Sequence, residues 1–267
     1  MISKIHNTGE GVNELTAKEV CIFLSDYAAR LLGCGATCIR IEKNVRRMSK
    51  AFSMDVEMTI MPSHIHLSVW DKAHTESFTN IKRIHKGGIS FNINTLLSKL
   101  SWEVADGKVN FQDALRLFKK ITDTPPSNQR LVLFLASLAN AAFCRLFGGD
   151  PIAMLIVFIA TLVGYRVKQI MLEDGADVRF VFLCAAFFSS VIAASGHLFG
   201  LGETPEIALG ASVLYLIPGI PYINSVSDML DGHYICSFSR FMDAAILTAC
   251  LSIGMCGGLL LMNLGLF

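Results

Sequence analysis

The chain has 267 residues, of which 52% are hydrophobic and only 17% are charged, and its mean hydropathy is +0.50. Soluble domains carry about 25% charged residues, so this composition argues against a wholly soluble protein. The formal net charge of +1 gives no sign of a nucleic-acid partner.

Charge is distributed unevenly along the chain, which indicates two parts of different character. Of the 23 Lys and Arg, 18 lie at or before Arg130, whereas only 13 of the 22 Asp and Glu do so. The first part therefore has a net charge of +5 (18 basic against 13 acidic residues), and the rest has −4 (5 against 9). A charge at the centre of a bilayer costs several kcal/mol, so we expect the charge-poor part to lie in a membrane.

Two helices are predicted at the start of the first part. Residues 12–32 place apolar side chains at helical spacing, and Thr16 with Glu19 has the pattern of a capping box. After a Gly-Cys-Gly break, residues 37–52 form a second predicted helix with a basic face. Its basic side chains are Arg40, Lys43, Arg46, Arg47 and Lys50. Such a face could attract a dicarboxylate or anionic lipid, but more often it is simply solvated.

Strand patterns follow these helices, and two further helices complete the first part. The predicted strands are residues 55–61, 64–70 and 82–89. The predicted helices are residues 92–105 and 110–121. The sequence Asp-Thr-Pro-Pro-Ser at residues 123–127 is typical of a linker. We therefore predict an α+β domain at residues 1–126, followed by a membrane domain at residues 127–267.

Two histidines are the main candidates for chemistry in the α+β domain. His64 and His66 are two residues apart on a predicted strand, so their side chains face the same way. They could hold a metal ion or include a general base, but no third ligand stands at a telling spacing, and a half-exposed strand face is the simpler interpretation. No Walker loop, GxSxG or HExxH motif occurs. We assign no catalytic residue, metal or cofactor.

Five stretches without Asp, Glu, Lys or Arg make up most of the second part. They are residues 131–144, 151–165, 180–202, 207–227 and 244–267. A helix needs about 20 residues to cross the hydrocarbon core. The first two stretches reach this length only with their flanking residues, and their alternative is a buried helical hairpin of a soluble domain or a re-entrant pair. A tight Phe-Gly-Gly-Asp-Pro turn between them favours two spans. The five predicted spans are residues 129–147, 151–168, 179–200, 205–222 and 241–265.

The orientation of these spans follows from the Lys and Arg in their loops. With the N-terminal domain in the cytoplasm, the loop at residues 166–179 is also cytoplasmic and holds Arg166, Lys168 and Arg179. The loop at residues 203–206 then lies outside and holds no Lys or Arg. The prediction is a multi-pass protein of the bacterial inner membrane with a cytoplasmic N-terminus and an all-α bundle of five transmembrane helices.

The fourth span differs from the others because it meets two prolines and then turns polar. Pro218 and Pro221 flank Gly219-Ile220, and each proline removes a backbone donor and clashes with the preceding turn. Broken backbone at membrane depth needs protein or a water-filled cavity to satisfy it, and in transporters such breaks build substrate sites. The alternative is that the prolines simply end a span, with an ordinary polar loop behind them.

The polar residues after this break have chemistry suited to a small solute. Asn224 and Asp228 are four residues apart and share one face if a helix resumes after Pro221. The amide of Asn224 can donate and accept, and the carboxylate of Asp228 can hold a cation, an ammonium group or a proton. Arg240 could pair with Asp228 or bind a substrate carboxylate.

The string Pro218-Gly219-x-Pro221-x-x-Asn224-x-x-x-Asp228-x-x-x-Gly232, with Arg240 beyond it, resembles the signature of the threonine/serine exporter family. The Leu-Gly-Cys-Gly-Ala-Thr segment at residues 32–37 is similar to the opening of that family. The arrangement of a soluble domain followed by five apolar segments is similar as well. One departure is Ser237, where relatives tend to carry Gly.

The resemblance carries several implications. Some members fuse this unit to a second five-span half, whereas this chain ends at Phe267 without one. It therefore looks like the larger subunit of the split, two-component exporters, which work with a separate small membrane protein. Split members of the family are linked to succinate export, and fused members to threonine and serine export.

The expected function is that of a subunit of a secondary exporter for a small carboxylate, either a succinate-like dicarboxylate or threonine and serine. The proton gradient is the natural driving force, with Asp228 as the candidate carrier. Contact with membrane lipid and assembly into a hetero- or homo-oligomer are expected. The candidate substrate-binding residues are Pro218, Gly219, Pro221, Asn224, Ser225, Asp228 and Arg240.

Two alternatives remain open from the sequence. The chain could be a membrane-anchored enzyme with its chemistry around His64 and His66. It could also be a structural or regulatory subunit whose partner holds the pore. Substitutions at Asn224 and Asp228 would then matter little.

Overall fold

The computed structural model describes residues 15–85, 87–125 and 128–262. The chain forms two compact units. The first contains the residues up to Thr124 together with Ser227–Cys236, and the second contains Pro125–Val226 and the residues from Ser237 onward. The sequence-based division at residues 126 and 127 did not anticipate that Ser227–Cys236 packs with the N-terminal residues.

The first unit is an α+β structure with a three-stranded antiparallel sheet in the order β1-β2-β3. Its helices are α1 (Ala17–Gly33), α2 (Cys38–Ala51), α3 (Phe91–Ala105) and α4 (Phe111–Thr122). Its strands are β1 (Met54–Ile60), β2 (His64–Asp71) and β3 (Ser77–Arg83). The capping box is confirmed, since Thr16 Oγ1 accepts from the Glu19 N–H and Glu19 Oε2 accepts from the Thr16 N–H.

The third strand lies earlier than the predicted residues 82–89, and a tight turn explains the difference. Asp71 ends β2, and its carboxylate accepts hydrogen bonds from Thr75 Oγ1 at 2.6 Å and from the Glu76 N–H at 2.9 Å. His74 in this turn has a positive φ of 51°. Because the chain reverses within five residues, β3 starts at Ser77, before the apolar pattern that suggested residue 82.

One face of the sheet forms the core of the first unit, and the other face is polar. Ile65, Leu67 and Val69 on β2 are fully buried. On β1, Asp55 and Glu57 point to the opposite, exposed side. Burying one large aliphatic side chain contributes about 1.5–3 kcal/mol, so this alternation holds the helices to one side of the sheet.

The second unit contains four helices that are long and apolar enough to cross a membrane, within the described residues. They are α5 (Gln129–Leu146), α6 (Pro151–Glu173), α7 (Val178–Leu198) and α10 (Tyr234–Leu261). A bent pair, Pro205–Leu216 with Gly219–Leu230, passes the same test as a broken fifth span with a bend of 59°. The pair comprises α8 (Pro205–Ala211), a 3-10 turn (Leu214–Leu216) and α9 (Gly219–Leu230).

The predicted turn before α6 is present, and one aspartate organises it. Asp150 is the N-cap residue of α6, with Pro151 as the first helical residue. Its carboxylate accepts from the Glu203 N–H at 2.9 Å and from the Ala153 N–H at 2.7 Å. These backbone donors, the Glu203 N–H first, hold the pKa of the Asp150 carboxyl below its usual value. The same side chain therefore stabilises the start of α6 and the segment that leads into α8.

Three spans differ from their predicted bounds. The second was predicted to end at residue 168, but α6 continues to Glu173. The fourth was predicted at residues 205–222 with a helix break at Pro218–Pro221, and the break instead occupies residues 212–218. The last was predicted to begin at residue 241, after the charge of Arg240, but α10 begins at Tyr234. Gly232 ends the preceding helix with a positive φ of 84°, so the next helix can start at once, and one Arg does not interrupt it.

Candidate functional site

The candidate site is centred on the broken fourth span, and the break lies earlier than the two prolines suggested. Helix α8 ends at Ala211, and Ile217 has an extended backbone with φ −60° and ψ 123°. A residue before proline is disfavoured in the helical region, which explains the conformation of Ile217. Helix α9 then starts at Gly219, so Pro221 lies in its first turn, where a missing N–H costs little.

Polar side chains from other helices satisfy this break, and the sequence reasoning missed them. Asn140 Nδ2 donates to the Ala211 carbonyl at 3.0 Å and to Thr161 Oγ1 at 2.6 Å. Ser189 Oγ contacts the Tyr215 hydroxyl at 3.0 Å and donates to the Ala160 carbonyl at 3.1 Å. The signal available in the sequence was the presence of polar residues inside apolar runs, which at membrane depth need partners.

Ser225 is buried and pairs with the residue that departs from the family pattern. Ser225 Oγ donates to the Ser237 carbonyl at 2.8 Å, and Ser237 Oγ donates to the Ser225 carbonyl at 2.7 Å. The two hydroxyl oxygens are 3.3 Å apart. A glycine at position 237 would lack one of these donors, so Ser237 adds a hydrogen bond that joins α9 to α10.

Asp228 is fully buried, and its carboxylate lies at the start of α2 in the first unit. Asp228 Oδ1 accepts a hydrogen bond from the Cys38 N–H at 2.8 Å. Cys38 is the first residue of α2, and the N-cap residue Thr37 makes no side-chain capping bond. The first N–H groups of a helix lack internal partners, and the helix dipole favours a negative charge there. Asp228 therefore acts as a cap supplied from a distant part of the chain.

This contact brings together the two segments on which the family resemblance rests. Residues 32–37 lead directly into α2, and Asp228 is the acidic residue of the signature after Pro218. The two segments are far apart in sequence, since Cys38 and Asp228 are separated by 190 residues.

The end of α9 belongs to the first unit, and residues of Ser227–Cys236 make further contacts within that unit. The His233 N–H donates to the Asp228 carbonyl at 2.8 Å and the Gly232 N–H to the Met229 carbonyl at 3.1 Å. This is a Schellman motif, whose residue of positive φ is Gly232. His233 Nε2 then lies 3.7 Å from Glu42 Oε2 on α2, and Cys236 Sγ donates to the Ile60 carbonyl at 3.3 Å.

The remaining predicted site residues are placed as follows. Asn224 is half-buried in α9, four residues before Asp228, so the predicted spacing on one helix is present. Pro218 is buried, Gly219 and Pro221 are half-buried, and Arg240 is half-buried in α10.

The histidines and the basic helix are also placed. His64 Nδ1 contacts Ser63 Oγ at 2.8 Å, and His66 is exposed on the polar face of the sheet. In the described part of the chain, no group of three or more His, Cys, Asp or Glu side chains could hold a metal ion. Arg47 donates to Ser101 Oγ at 2.6 Å and stacks on Trp102 at 3.5 Å, so part of the basic face of α2 joins α3 instead of facing solvent.

Comparison with known proteins decides the family. The family model described as "Putative threonine/serine exporter" matches residues 23–262, which include both units. The chain belongs to the threonine/serine exporter family. The resemblance drawn from residues 32–37 and from the signature after Pro218 is thereby confirmed.

Individual relatives of this exporter-family chain are named as transporters. "Probable succinate transporter subunit YjjP" of Klebsiella aerogenes is 30% identical over 88% of this chain and 90% of that protein. The protein of the same name in Escherichia coli is 29% identical over 84% and 87% of the two chains. "Probable threonine/serine exporter" of Mycobacterium tuberculosis is 20% identical over 92% of this chain, but over only 47% of its own length. No solved structure matches this chain.

These names support a role in transport and not an enzymatic one. The coarse prediction of a multi-pass membrane transporter therefore agrees with the family and with the apolar helices.

Proposed function

We propose that the chain is a subunit of a secondary exporter that moves a small carboxylate out of the bacterial cytoplasm. A succinate-like dicarboxylate is the first substrate to test, because two relatives that match nearly over their full length are named succinate transporter subunits. Threonine and serine are the second, because a more distant relative carries that name.

The substrate site we propose is the segment of α9 and its surroundings that holds the predicted residues. A buried break in an apolar span, followed by a helix that carries Asn224 and Asp228, is the observation that carries this proposal. Backbone freed at membrane depth is tolerated where it lines a cavity or is buried in protein. Pro218, Gly219 and Pro221 would shape the segment, Asn224 and Ser225 would offer hydrogen bonds, and Arg240 would meet a carboxylate.

A separate small membrane subunit is part of the proposal. The relatives that match nearly end to end are named as subunits, and the relative of which this chain covers 47% is about twice as long. We propose that the partner supplies the second half of the transport unit. The N-terminal α+β domain at residues 1–126 would lie in the cytoplasm and the domain at residues 127–267 in the inner membrane.

The test is efflux of preloaded succinate, threonine or serine from cells that produce both subunits. Asp228→Asn keeps an oxygen for the Cys38 N–H but removes the charge. An amide cannot bind and release a proton as the proposed carrier must, so we expect the efflux rate to fall by about tenfold or more, which is about 1.4 kcal/mol or more in the barrier. The matched control is Asp231→Asn, an exposed aspartate three residues later, which should export at the normal rate.

The geometry of Asp228 also favours a second candidate function, that of a structural or regulatory subunit. A carboxylate that caps α2 has a role in folding whether or not it meets a solute. If Asp228→Asn protein is produced at the normal level and exports at the normal rate, Asp228 takes no part in transport and this second function is favoured.

A further inference from the structure

An open groove of about 530 Å³ lies on the first unit, beside the C-terminal half of α2 and the start of β1. Ligand sites of small molecules occupy about 300–1,000 Å³, so a metabolite of a few carbon atoms fits. The groove lies apart from the signature residues of α9. Its charged and aromatic lining residues are Arg46, Lys50, Asp55, Glu57, Trp70 and His74.

The charges of this groove are arranged in two groups of opposite sign. Arg46 and Lys50 are one helical turn apart on α2, so both face the groove from the same side. Asp55 and Glu57 are two residues apart on β1, so their side chains share the exposed face of this edge strand, and the groove is lined from that strand and from α2. Trp70 is the cross-strand neighbour of Asp55, and its ring centroid lies 6.4 Å from that of His74. Asp55 Oδ2 lies 3.6 Å from His74 Nε2, so Asp55 has a basic neighbour of its own and we take Glu57 as the carboxylate that meets a ligand cation.

This arrangement selects the class of ligand. A ligand with only carboxylates would be attracted to Arg46 and repelled by Glu57. A ligand with only an ammonium group would be attracted to Glu57 and repelled by Arg46. A molecule that carries both a carboxylate and an ammonium group is attracted at both sides, and the indole of Trp70 offers an apolar surface to its side chain. We propose that the groove binds a free α-amino acid in its zwitterionic form.

One wall of the groove is linked to the segment that follows the signature. Arg46 pairs with Glu42 Oε1 at 3.1 Å, and the other oxygen of Glu42 lies 3.7 Å from His233 Nε2. A ligand carboxylate therefore competes with Glu42 for the Arg46 guanidinium, and Glu42 in turn contacts the turn after α9. By thermodynamic linkage, any change that strengthens the ion pair between Glu42 and Arg46 weakens the binding of the ligand to the groove. The groove is thus a sensing site within the first unit, and its binding test does not depend on transport.

The binding test uses the full-length protein in detergent micelles and its own tryptophan fluorescence. The chain has 2 Trp residues, and Trp70 lines the groove whereas Trp102 stacks on Arg47. In a Trp102→Phe protein, Trp70 is the sole reporter. We expect a saturable fluorescence change with L-alanine, with a dissociation constant in the millimolar range. Propionate and ethylamine each lack one of the two charges of L-alanine. Each should bind about fivefold more weakly, because one exposed ion pair contributes at most about 1 kcal/mol to binding.

Variants of the groove residues should respond in a fixed pattern. Arg46→Gln and Glu57→Gln should each weaken L-alanine binding by about fivefold. Glu42→Gln removes the competitor for Arg46 and should tighten binding by about two- to fivefold. The matched control is Arg116→Gln on α4, because Arg116 is also exposed and also pairs with a nearby carboxylate, Asp113, at 3.4 Å. It should bind L-alanine normally.

Several outcomes would overturn the proposal. The first is that L-alanine gives no saturable change in fluorescence. The second is that propionate binds as tightly as L-alanine, or succinate more tightly. The third is that Arg46→Gln binds L-alanine with unchanged affinity. Unchanged affinity in Glu42→Gln would refute the shared use of Arg46 and with it the link to His233. Calorimetry on the unmodified chain gives the same comparison if Trp102→Phe fails to fold.

Discussion

At the scale of single residues, Asp228 shows how burial changes the interpretation of a charged side chain. Its position in the polar stretch just after a broken apolar span suggested a carrier of protons or cations. In the structure its carboxylate accepts from the first N–H of α2. A buried charge is costly unless it is hydrogen-bonded, and the positive end of a helix dipole reduces this cost further. The fold alone therefore accounts for an aspartate here, and its role in transport stays a proposal.

The first prediction separates the capping role of Asp228 from its charge. Asp228→Ala leaves the Cys38 N–H without its acceptor, so we expect the free energy of unfolding to fall by about 1–2 kcal/mol. Asp228→Asn retains an acceptor and should lose less. The measurement is thermal unfolding in detergent, followed by circular dichroism. Asp231→Ala serves as the exposed control, and a melting temperature of Asp228→Ala equal to that of this control would contradict the capping role.

At the scale of elements, the broken fourth span depends on side chains of α5, α6 and α7. Asn140 Nδ2 donates to the carbonyl of Ala211, the last residue of α8. Ser189 Oγ is hydrogen-bonded to the hydroxyl of Tyr215 in the 3-10 turn. Gly164 on α6 makes this possible, because a Cβ there would overlap Ser189 Oγ and the Tyr215 hydroxyl and would lie 3.0 Å from the Ala185 carbonyl oxygen. The break is thus a packed part of the second unit, with specific partners for its polar groups.

The second prediction tests this close approach. Gly164→Ala should lower the free energy of unfolding by about 1–3 kcal/mol, because the added methyl group overpacks the contact between α6 and α7. Gly210→Ala in α8 is the matched control, since nothing lies within 4 Å of a Cβ at that position. It should be neutral or stabilise by about 0.5–1 kcal/mol, because alanine favours the helix. Equal melting temperatures of the two variants would show that the contact at Gly164 is not needed.

At the scale of the whole molecule, the two units do not correspond to two consecutive segments of sequence. Ser227–Cys236 belongs to the first unit although it contains the end of α9 and the start of α10, whose other residues belong to the second. The residues just before Ser227 and just after Cys236 therefore belong to the apolar unit, whereas Asp228 and His233 belong to the α+β unit. The α+β unit thus includes part of the segment that carries the signature.

The third prediction concerns the proposed orientation in the membrane. Reporter fusions after Asp174, between α6 and α7, should give a fluorescent green fluorescent protein and inactive alkaline phosphatase, as expected of a cytoplasmic loop. Fusions after Gly202, between α7 and α8, should give the reverse. The expectation rests on Arg166, Lys168 and Arg179 near the first loop. The opposite pattern at both positions would place the α+β unit outside the cell and contradict the proposed direction of transport.

The sequence by itself was enough for the features that depend on local pattern. The charge-poor second part, the apolar helices and the capping box at Thr16 were available from composition, periodicity and spacing. The family came from the resemblance of the string after Pro218 to a known signature. These features are encoded within a few turns of chain, where the hydrophobic pattern and the capping residues act directly. The exact bounds of β3 and α10 did not follow from this pattern, because the turn after Asp71 and Gly232 act through backbone geometry that composition does not report.

Only the tertiary structure decided which distant residues meet. Nothing in the local pattern pairs Asp228 with Cys38, Ser225 with Ser237, or Asn140 with the Ala211 carbonyl. Each of these contacts satisfies a buried polar group whose partner is chosen by the packing of whole elements, since a buried donor or acceptor must find a partner wherever the fold brings one. For that reason candidate site residues could be proposed from the sequence, but the capping role of Asp228 in the fold could not.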